Sequence, residues 1–565
     1  MIKKWWMESI GYQIYPKSFF DTNHDGVGDL KGIISKLPYL KSLGIDLIWI
    51  CPIYDSPMDD NGYDVRDFFN IDQMFGTIED MKELIGRAHQ LGIKVILDYV
   101  LNHTSDEHPW FIESRKSKDN PYRDYYIWAD PKIKNGKRTE PTNWGSFFGG
   151  SCWQYDQLTN SYYMKIFSNK MPDLNWKNQD VRKKMIEVGK WWLNLGIDGF
   201  RIDAVSHLGR MAFEDIDNTD ERYPLDASKF SNLDVVHTYL EQMYEQLFKP
   251  YDVVAIGEVG GNASLESTLA YASFNSKQLS MVFTFDHNWC NNVFDIEDIK
   301  DLKTDVIKLK QTFIKWQSAF KDKGWVPLNW LNHDQPRLVS HYGHPLFKKH
   351  SAKMLAQLMY LMRGTPFVYQ GEEIGMTNFP FSDEKQFDDI SSIHTYKYLT
   401  KEKQLSKKEA LFKTGIKSRD NARTPMQWSN EAYAGFSTAK PWMAVNPDYI
   451  NVNVDNNLKD EDSIWYYYQH LFRLRKKSKY SETIIYGDIE FLDIENPNLI
   501  TYLRSDSNHL LLVINSFNSK QMTYDLSMYK NTKIILSNDK THKIDQQTIN
   551  LMPYGAVVLE VEALS

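Results

Sequence analysis

In the run Gly199-Phe200-Arg201-Ile202-Asp203 an arginine and an aspartate stand two apart among apolar neighbours, and two further carboxylates, Glu258 and Asp334, close later apolar runs. Residues i and i+2 of a strand share a face, so Arg201 and Asp203 project together, and a permanent cation beside a carboxylate favours its ionised form. Asp203 is therefore a candidate nucleophile. Glu258 follows Val253-Val254-Ala255-Ile256-Gly257, and burial with neighbouring carboxylates should raise its pKa and hold it protonated as an acid. Cleavage of a glycosidic bond needs such a pair: a proton donor for the leaving oxygen and an anion beside the developing oxocarbenium ion. His103 and His333 close two more runs. Neither has a helix-spaced histidine partner or a cysteine beside it, so both read as hydrogen-bond donors to sugar hydroxyls rather than metal ligands.

The elements that must carry these residues are short. Apolar runs at Gly11 to Tyr15, Asp46 to Ile50, Val95 to Tyr99, Gly199 to Ile202, Val253 to Ile256, Met281 to Phe285, Leu328 to Leu331 and Pro366 to Tyr369 predict eight strands. Helical periodicity lies between them. In Thr77 to Leu91, Ile78, Met81, Leu84, Ile85 and Ala88 recur at helix spacing, with Thr77 as N-cap and Gly92 as stop; Asp180 to Leu195 and Ser351 to Met362 behave alike. Nearly continuous apolar strands alternating with helices predict an α/β fold, a closed parallel (β/α)8 TIM barrel, with its functional rim at the carboxyl ends of the strands. Asp98, Asn102, His103, Arg201, Asp203, Glu258, His333 and Asp334 all fall at those ends.

Two stretches interrupt the alternation. Residues 104–171 are too long and aperiodic for an ordinary βα connection and read as an inserted domain after the third strand, so the barrel comprises 1–103 and 172–480. A second insertion, about 377–447, follows the eighth strand. Beyond the helical pattern Ser463 to Lys477, residues 481–565 alternate and turn as a small C-terminal antiparallel β-sandwich.

Composition narrows the partners. A net charge of -8 over 565 residues, with no extended Lys/Arg cluster, gives no electrostatic reason to bind nucleic acid or an anionic membrane. Aromatics at 14% suit a small neutral sugar. Three cysteines, Cys51, Cys152 and Cys290, argue against a disulfide framework. With no signal-like opening and no run of the ~18 apolar residues needed to span a bilayer, the expectation is a cytoplasmic protein, a monomer or small homo-oligomer.

Asp21, Asn23, Asp25, Val27 and Asp29 alternate oxygen donors as in an EF-hand loop, Gly26 standing at the sharp turn. A structural Ca2+ is implied. The pattern stops at the twelfth position, where Gly32 replaces the bidentate Glu.

The strings DYVLNH from Asp98, GFRID ending at Asp203, GE at Glu258 and NHD ending at Asp334 resemble the four conserved regions of the α-amylase superfamily, glycoside hydrolase family 13. IYPKSFFD, NGYDV around Tyr63, MPDLNW and RDNARTPMQW are similar to its oligo-1,6-glucosidase and α-glucosidase subfamily. The resemblance implies a retaining, exo-acting α-glucosidase with Asp203 as nucleophile, Glu258 as acid/base and Asp334 as transition-state stabiliser. It also implies that Tyr63, Asp64, Asp98, His103, Phe148, Phe167, Arg201, His333 and Arg423 line the terminal glucose subsite. The chain departs from it at Met171, where the subfamily reads Gln. In members specific for α-1,6 bonds Val follows the nucleophile and Met-Pro-Gly the acid; here Ala204 and Val259-Gly260-Gly261 do, which leans toward α-1,4 linkages such as those of maltose. A smaller side chain beside the nucleophile leaves room on the aglycone side, a difference worth ~1 to 3 kcal/mol. The competing expectations are an oligo-1,6-glucosidase, a glucosyltransferase or sucrose isomerase, and a trehalose-6-phosphate hydrolase. A catalytically dead transporter subunit fits less well, since it would lack these carboxylates.

Overall fold

A computed structural model describes residues 3–261 and 263–563. Eight parallel strands form one sheet: β1 (Gly11–Ile14), β2 (Leu47–Ile50), β3 (Lys94–Val100), β4 (Gly199–Asp203), β5 (Val254–Glu258), β6 (Met281–Phe283), β7 (Pro327–Leu328) and β8 (Thr365–Tyr369). The order β6-β5-β4-β3-β2-β1-β8-β7 runs round the barrel. All eight expected strands are present. β7 is shorter than its apolar run because the chain leaves the sheet at Asn329, and Trp330 donates its indole N–H to the Leu355 carbonyl instead.

Inside the barrel, strand parity places the chemistry. Leu47, Ile96, Val254, Met281 and Phe367 form one apolar cluster, closed from below by Trp6 and Trp325. One inward step higher stand Trp49, Asp98, Arg201 and Ile256, and Asp203 and Glu258 end their strands a step above that. The alternate residues, such as Ile48, Leu97, Phe200 and Ile202, face the surrounding helices. Gly199 starts β4 because a Cβ there would lie 2.1 Å from the Val254 carbonyl oxygen. The strand that carries Arg201 and Asp203 can thus approach β5 closely.

The helices follow their caps. Helix α1 (Leu30–Leu43) is capped by Asp29 and stopped by Gly44 at φ 108°. α2 (Ile78–Gln90) opens with a reciprocal box between Thr77 and Asp80, and α3 (Gln179–Leu195) ends at Gly196, φ 116°.

Between β3 and α3 the chain builds a three-stranded antiparallel sheet from Trp128–Ala129, Ser161–Met164 and Trp153–Asp156, packed on a core of Trp144, Trp153, Met164 and Phe230. The insertion after β8 is helical (Ile390–Lys401, Lys407–Gly415). Beyond it, a five-stranded antiparallel sheet (Asp488–Leu492, Leu499–Ser505, Leu510–Ser516, Tyr529–Ser537, Ala556–Ala563) faces a three-stranded one across Leu512, Ile514, Ile549, Leu551 and Val557. Two buried cations, Lys310 and Arg504, join this sandwich to the barrel through main-chain carbonyls, and a third, Arg475, ties the last barrel helix to the turn before β8 in the same way. Lys310 donates to Asp493, Ile494 (3.0 Å) and Asn496 (3.1 Å), Arg475 to Tyr360 (2.9 Å), Met362 (3.0 Å) and Gly364, and Arg504 to Leu361 (2.8 Å) and Gly487 (2.7 Å). Cys51, Cys152 and Cys290 are free and buried. Among the described residues no helix is long and apolar enough to cross a membrane.

Candidate active site

A cavity of about 280 Å³ opens at the carboxyl ends of the strands, lined among others by Tyr63, His103, Phe148, Phe167, Asp203, Ala204, Glu258, His333 and Asp334. Its floor is organised by one guanidinium. Arg201 Nη1 donates to Asp98 Oδ1 (2.6 Å) and Asp203 Oδ1 (2.7 Å), and its Nη2 to Glu258 Oε2 (2.6 Å). Asp98 lies behind the cavity wall, fully buried, where it also accepts from Trp49 Nε1 (2.8 Å) and Tyr63 OH (3.3 Å). Arg201 likewise sits beneath the site rather than on its surface.

One cation shared among three carboxylates does not offset the burial of Asp203 and Asp98. Burial pushes Asp203 well above the ordinary carboxylate range, Arg201 opposes that, and the adjacent Glu258 and Asp98 charges add to the rise. The expectation that Arg201 simply keeps Asp203 ionised is corrected here. Desolvation falls on the nucleophile's carboxyl and outweighs the Arg201 charge beside it. Burial likewise pushes Asp98 up to about 6, against Arg201 and the Trp49 hydrogen bond.

Asp334 has the opposite environment. Burial works to raise its carboxyl, but His333, Arg419 and Arg423 outweigh that and hold it well below the usual range. Because burial lowers His333 to about 3, that ring is neutral in working conditions and the two arginines carry the effect. Arg423 Nη2 reaches Asp334 Oδ1 at 2.8 Å and Arg419 Nη1 at 3.3 Å. Gln13 Nε2 donates to His333 Nδ1 (2.8 Å), leaving the Nε2 proton for Tyr63 OH at 2.7 Å. His103 is also neutral, lowered by burial to about 4, and its Nε2 has no protein partner among the described residues.

Like Asp98 and Arg201, Asp64 and Arg423 do not line the cavity. Asp64 is fully buried and accepts the Asp59 (2.8 Å) and Asp60 (3.0 Å) backbone N–H groups, which turns Asp60 rather than Asp64 toward the cavity. Arg423 holds Asp334 and the His333 carbonyl (3.1 Å) from behind, and Arg419 lines the cavity in its place. Arg419 binds Asp60 at 2.9 Å and Asp389 at 2.6 Å. Both Asp60 and Arg419 lie inside or next to strings already singled out, but strings do not say which charge of a loop faces inward. Phe147, Met171, His207, Gly260 and Gly261 complete the wall.

In the loop of residues 21–29, Asp21 accepts from Asn23 and His24 N–H (3.0 and 2.8 Å), Asn23 from Asp25 N–H (3.0 Å) and Asp25 from Val27 N–H (2.8 Å). Asp29 instead caps α1 through the Gly32 N–H (2.6 Å) and binds Thr22. Among the described residues no three acidic, histidine or cysteine side chains converge on one point. Gly32 could not be a glutamate, since a Cβ there would lie 1.9 Å from the Phe20 carbonyl oxygen.

Comparison with known proteins agrees with this geometry. Residues 13–486 match the alpha-amylase catalytic domain and residues 499–558 the C-terminal domain of the alpha-amylase SusG. The chain is 44% identical to an oligo-1,6-glucosidase of Bacillus cereus, covering 100% of both chains, and 41% identical to an alpha-glucosidase of Pediococcus pentosaceus over 99% of both. Among solved structures it is similar to the trehalose-6-phosphate hydrolase of Bacillus licheniformis, with TM-score 0.90, 40% identity and 100% of both chains covered. The isomaltulose synthase of Protaminobacter rubrum gives TM-score 0.92, 36% identity and the same coverage. With the barrel, the inserted sheet and the carboxylate rim in place, the chain belongs to the alpha-amylase family, glycoside hydrolase family 13, in its oligo-1,6-glucosidase and α-glucosidase subfamily.

Proposed function

We propose that the protein is a retaining, exo-acting α-glucosidase that releases glucose from the non-reducing end of short α-glucosides, favouring α-1,4 linkages. The observation that carries this is the Arg201 fork holding Asp203 and Glu258 side by side at the floor of a small cavity. In retaining enzymes the two carboxyls stand only ~5 to 5.5 Å apart, one attacking the anomeric carbon while the other protonates the leaving oxygen. Asp334, held ionised by its arginines, suits the stabilisation of positive charge at that carbon.

The lean to α-1,4 rests on Ala204 and on the Gly260-Gly261 wall. Ala204 also sits in the left-handed region, φ 46° and ψ 34°, where a β-branched residue is disfavoured. Valine there would both narrow the aglycone side and strain the turn after the nucleophile. Initial rates of glucose release from maltose and isomaltose, with sucrose and trehalose alongside, test the reading. Maltose should be cleaved faster, and Ala204→Val should shift the ratio toward isomaltose by about tenfold. Faster isomaltose cleavage by the unmodified protein would favour the competing oligo-1,6-glucosidase reading, which the names of several relatives support. Hydrolysis of trehalose 6-phosphate is less favoured. Among the described residues lining the cavity the guanidinium is that of Arg419, already committed to Asp60, Asp334 and Asp389.

A structural Ca2+ at Asp21, Asn23, Asp25 and the Val27 carbonyl belongs to the same reading. The successive turns restrain side chains at alternate positions, and Gly26 supplies φ 91° at the sharp bend. The donor set is a mixed one of carboxylate, amide and carbonyl, with Asp29 turned toward α1. Millimolar Ca2+ should raise the melting temperature of chelator-treated protein by a few degrees through preferential binding to the folded state, and Asp25→Ala should remove that response. An unchanged melting temperature across the titration would exclude the ion. The three free, buried cysteines support a cytoplasmic protein working on small sugars without disulfides.

A further inference from the structure

Seven residues beyond the nucleophile, Arg210 is buried under the active-site wall and touches none of the three central carboxylates. Its Nη1 donates to the His207 and Gly209 (2.7 Å) carbonyls, which fixes the plane of the guanidinium. Its Nη2 donates to Asp173 Oδ2 (2.7 Å) and Asn102 Oδ1 (3.0 Å). A guanidinium has only donors, so the atom of Asn102 that faces it must be the carbonyl oxygen. The amide nitrogen is thereby turned the other way, to Asp173 Oδ1 (2.9 Å) and to His103 Nδ1 (3.2 Å). An amide nitrogen likewise only donates. His103 Nδ1 must then be the acceptor, and the single ring proton of this neutral histidine resides on Nε2, the buried atom without a protein partner on the cavity wall.

We propose that Arg210 is a positioning residue for this reaction: through the orientation of Asn102 it sets the tautomer of His103, so that Nε2–H is presented to a hydroxyl of the bound glucosyl unit. Arg210 holds both the Asn102 oxygen and the Asp173 carboxylate that receives the Asn102 nitrogen; without the guanidinium the orientation of the amide rests on Asp173 alone. In the flipped orientation its oxygen faces Nδ1, draws the ring proton there, and leaves Nε2 an acceptor. Asn102→Asp imposes the same error with Arg210 in place, because a carboxylate offers oxygen to both neighbours. Lysine, also donor-only, should preserve the amide orientation in part.

This inference rests on the α-glucosidase reading, and a double-mutant cycle separates the two. Glucose release from an aryl α-glucoside by the unmodified protein comes first; none would sink the functional reading itself. Given activity, Arg210→Met and Asn102→Asp should each lower kcat/KM about tenfold or more, the strength of one hydrogen bond to a substrate hydroxyl, and Arg210→Lys should recover part of it. In a His103→Ala background the same two substitutions should cost less than about twofold, because the group they act through is gone. A loss of equal size in both backgrounds would make Arg210 a purely structural residue and overturn the proposal, as would Arg210→Met with unmodified kinetics. Should Arg210→Met fail to fold, the Asn102→Asp and Arg210→Lys cycles give the same decision.

Discussion

Replacing Asp203 with Asn should lower kcat by about four to six orders of magnitude, the loss expected when a covalent nucleophile is removed. An amide nearly preserves the shape of the carboxyl but cannot attack the anomeric carbon. The fold should persist, because Arg201 retains Asp98 and Glu258 as partners and the buried Asp203 carboxyl is already strained toward its protonated form. Glucose release measured beside a urea melt checks both halves. Turnover within tenfold of the unmodified protein would remove Asp203 from the chemistry, whereas lost activity with a collapsed melting curve would leave its role to a second variant such as Asp203→Ser.

The second large effect is on stability. Arg201→Met should destabilise the protein by about 3 to 5 kcal/mol at neutral pH, because it strips from Asp98, Asp203 and Glu258 the cation that bridges all three. The loss should depend on pH in a definite sense. Asp98, at about 6, and Asp203 both stand above the ordinary carboxylate value in the folded protein. A group raised on folding contributes stability that is complete below its unfolded value, about 4, and is lost as pH rises through its folded value. Removing Arg201 lifts both carboxyls further, so the gap between variant and unmodified protein should widen from pH 5 to pH 8. Urea midpoints over that range would show it, and a pH-independent gap would mean that the arginine acts through packing alone.

Much of this was legible in the sequence. Strand parity within GFRID was enough to set Arg201 beside Asp203, and apolar runs located every barrel strand, because buried parallel strands leave a continuous hydrophobic trace. What sequence could not give was direction within loops. Asp60 and Asp64 flank the same Asn61-Gly62-Tyr63 turn, and the choice between them is made by two backbone N–H groups that fold onto Asp64. Arg419 and Arg423 lie one helical turn apart, one facing the cavity and the other the back of Asp334. The upward shift of the Asp203 carboxyl is hidden from the sequence for a related reason. A neighbouring arginine is visible in sequence, but the share of it claimed by Asp98 and Glu258 is not.

The junction between barrel and sandwich has a consequence for how this family can change. Lys310 and Arg504 recognise peptide carbonyls rather than side chains. Every residue type offers the same carbonyl, so the loops that receive these cations can drift in sequence while the docking chemistry stays constant. Deletion is a different matter from drift. A truncation ahead of Asp493 would remove the three carbonyls that receive Lys310 and lay the helix face that carries it open to water, which ties the inheritance of the terminal module to that of the barrel even though no catalytic group resides there.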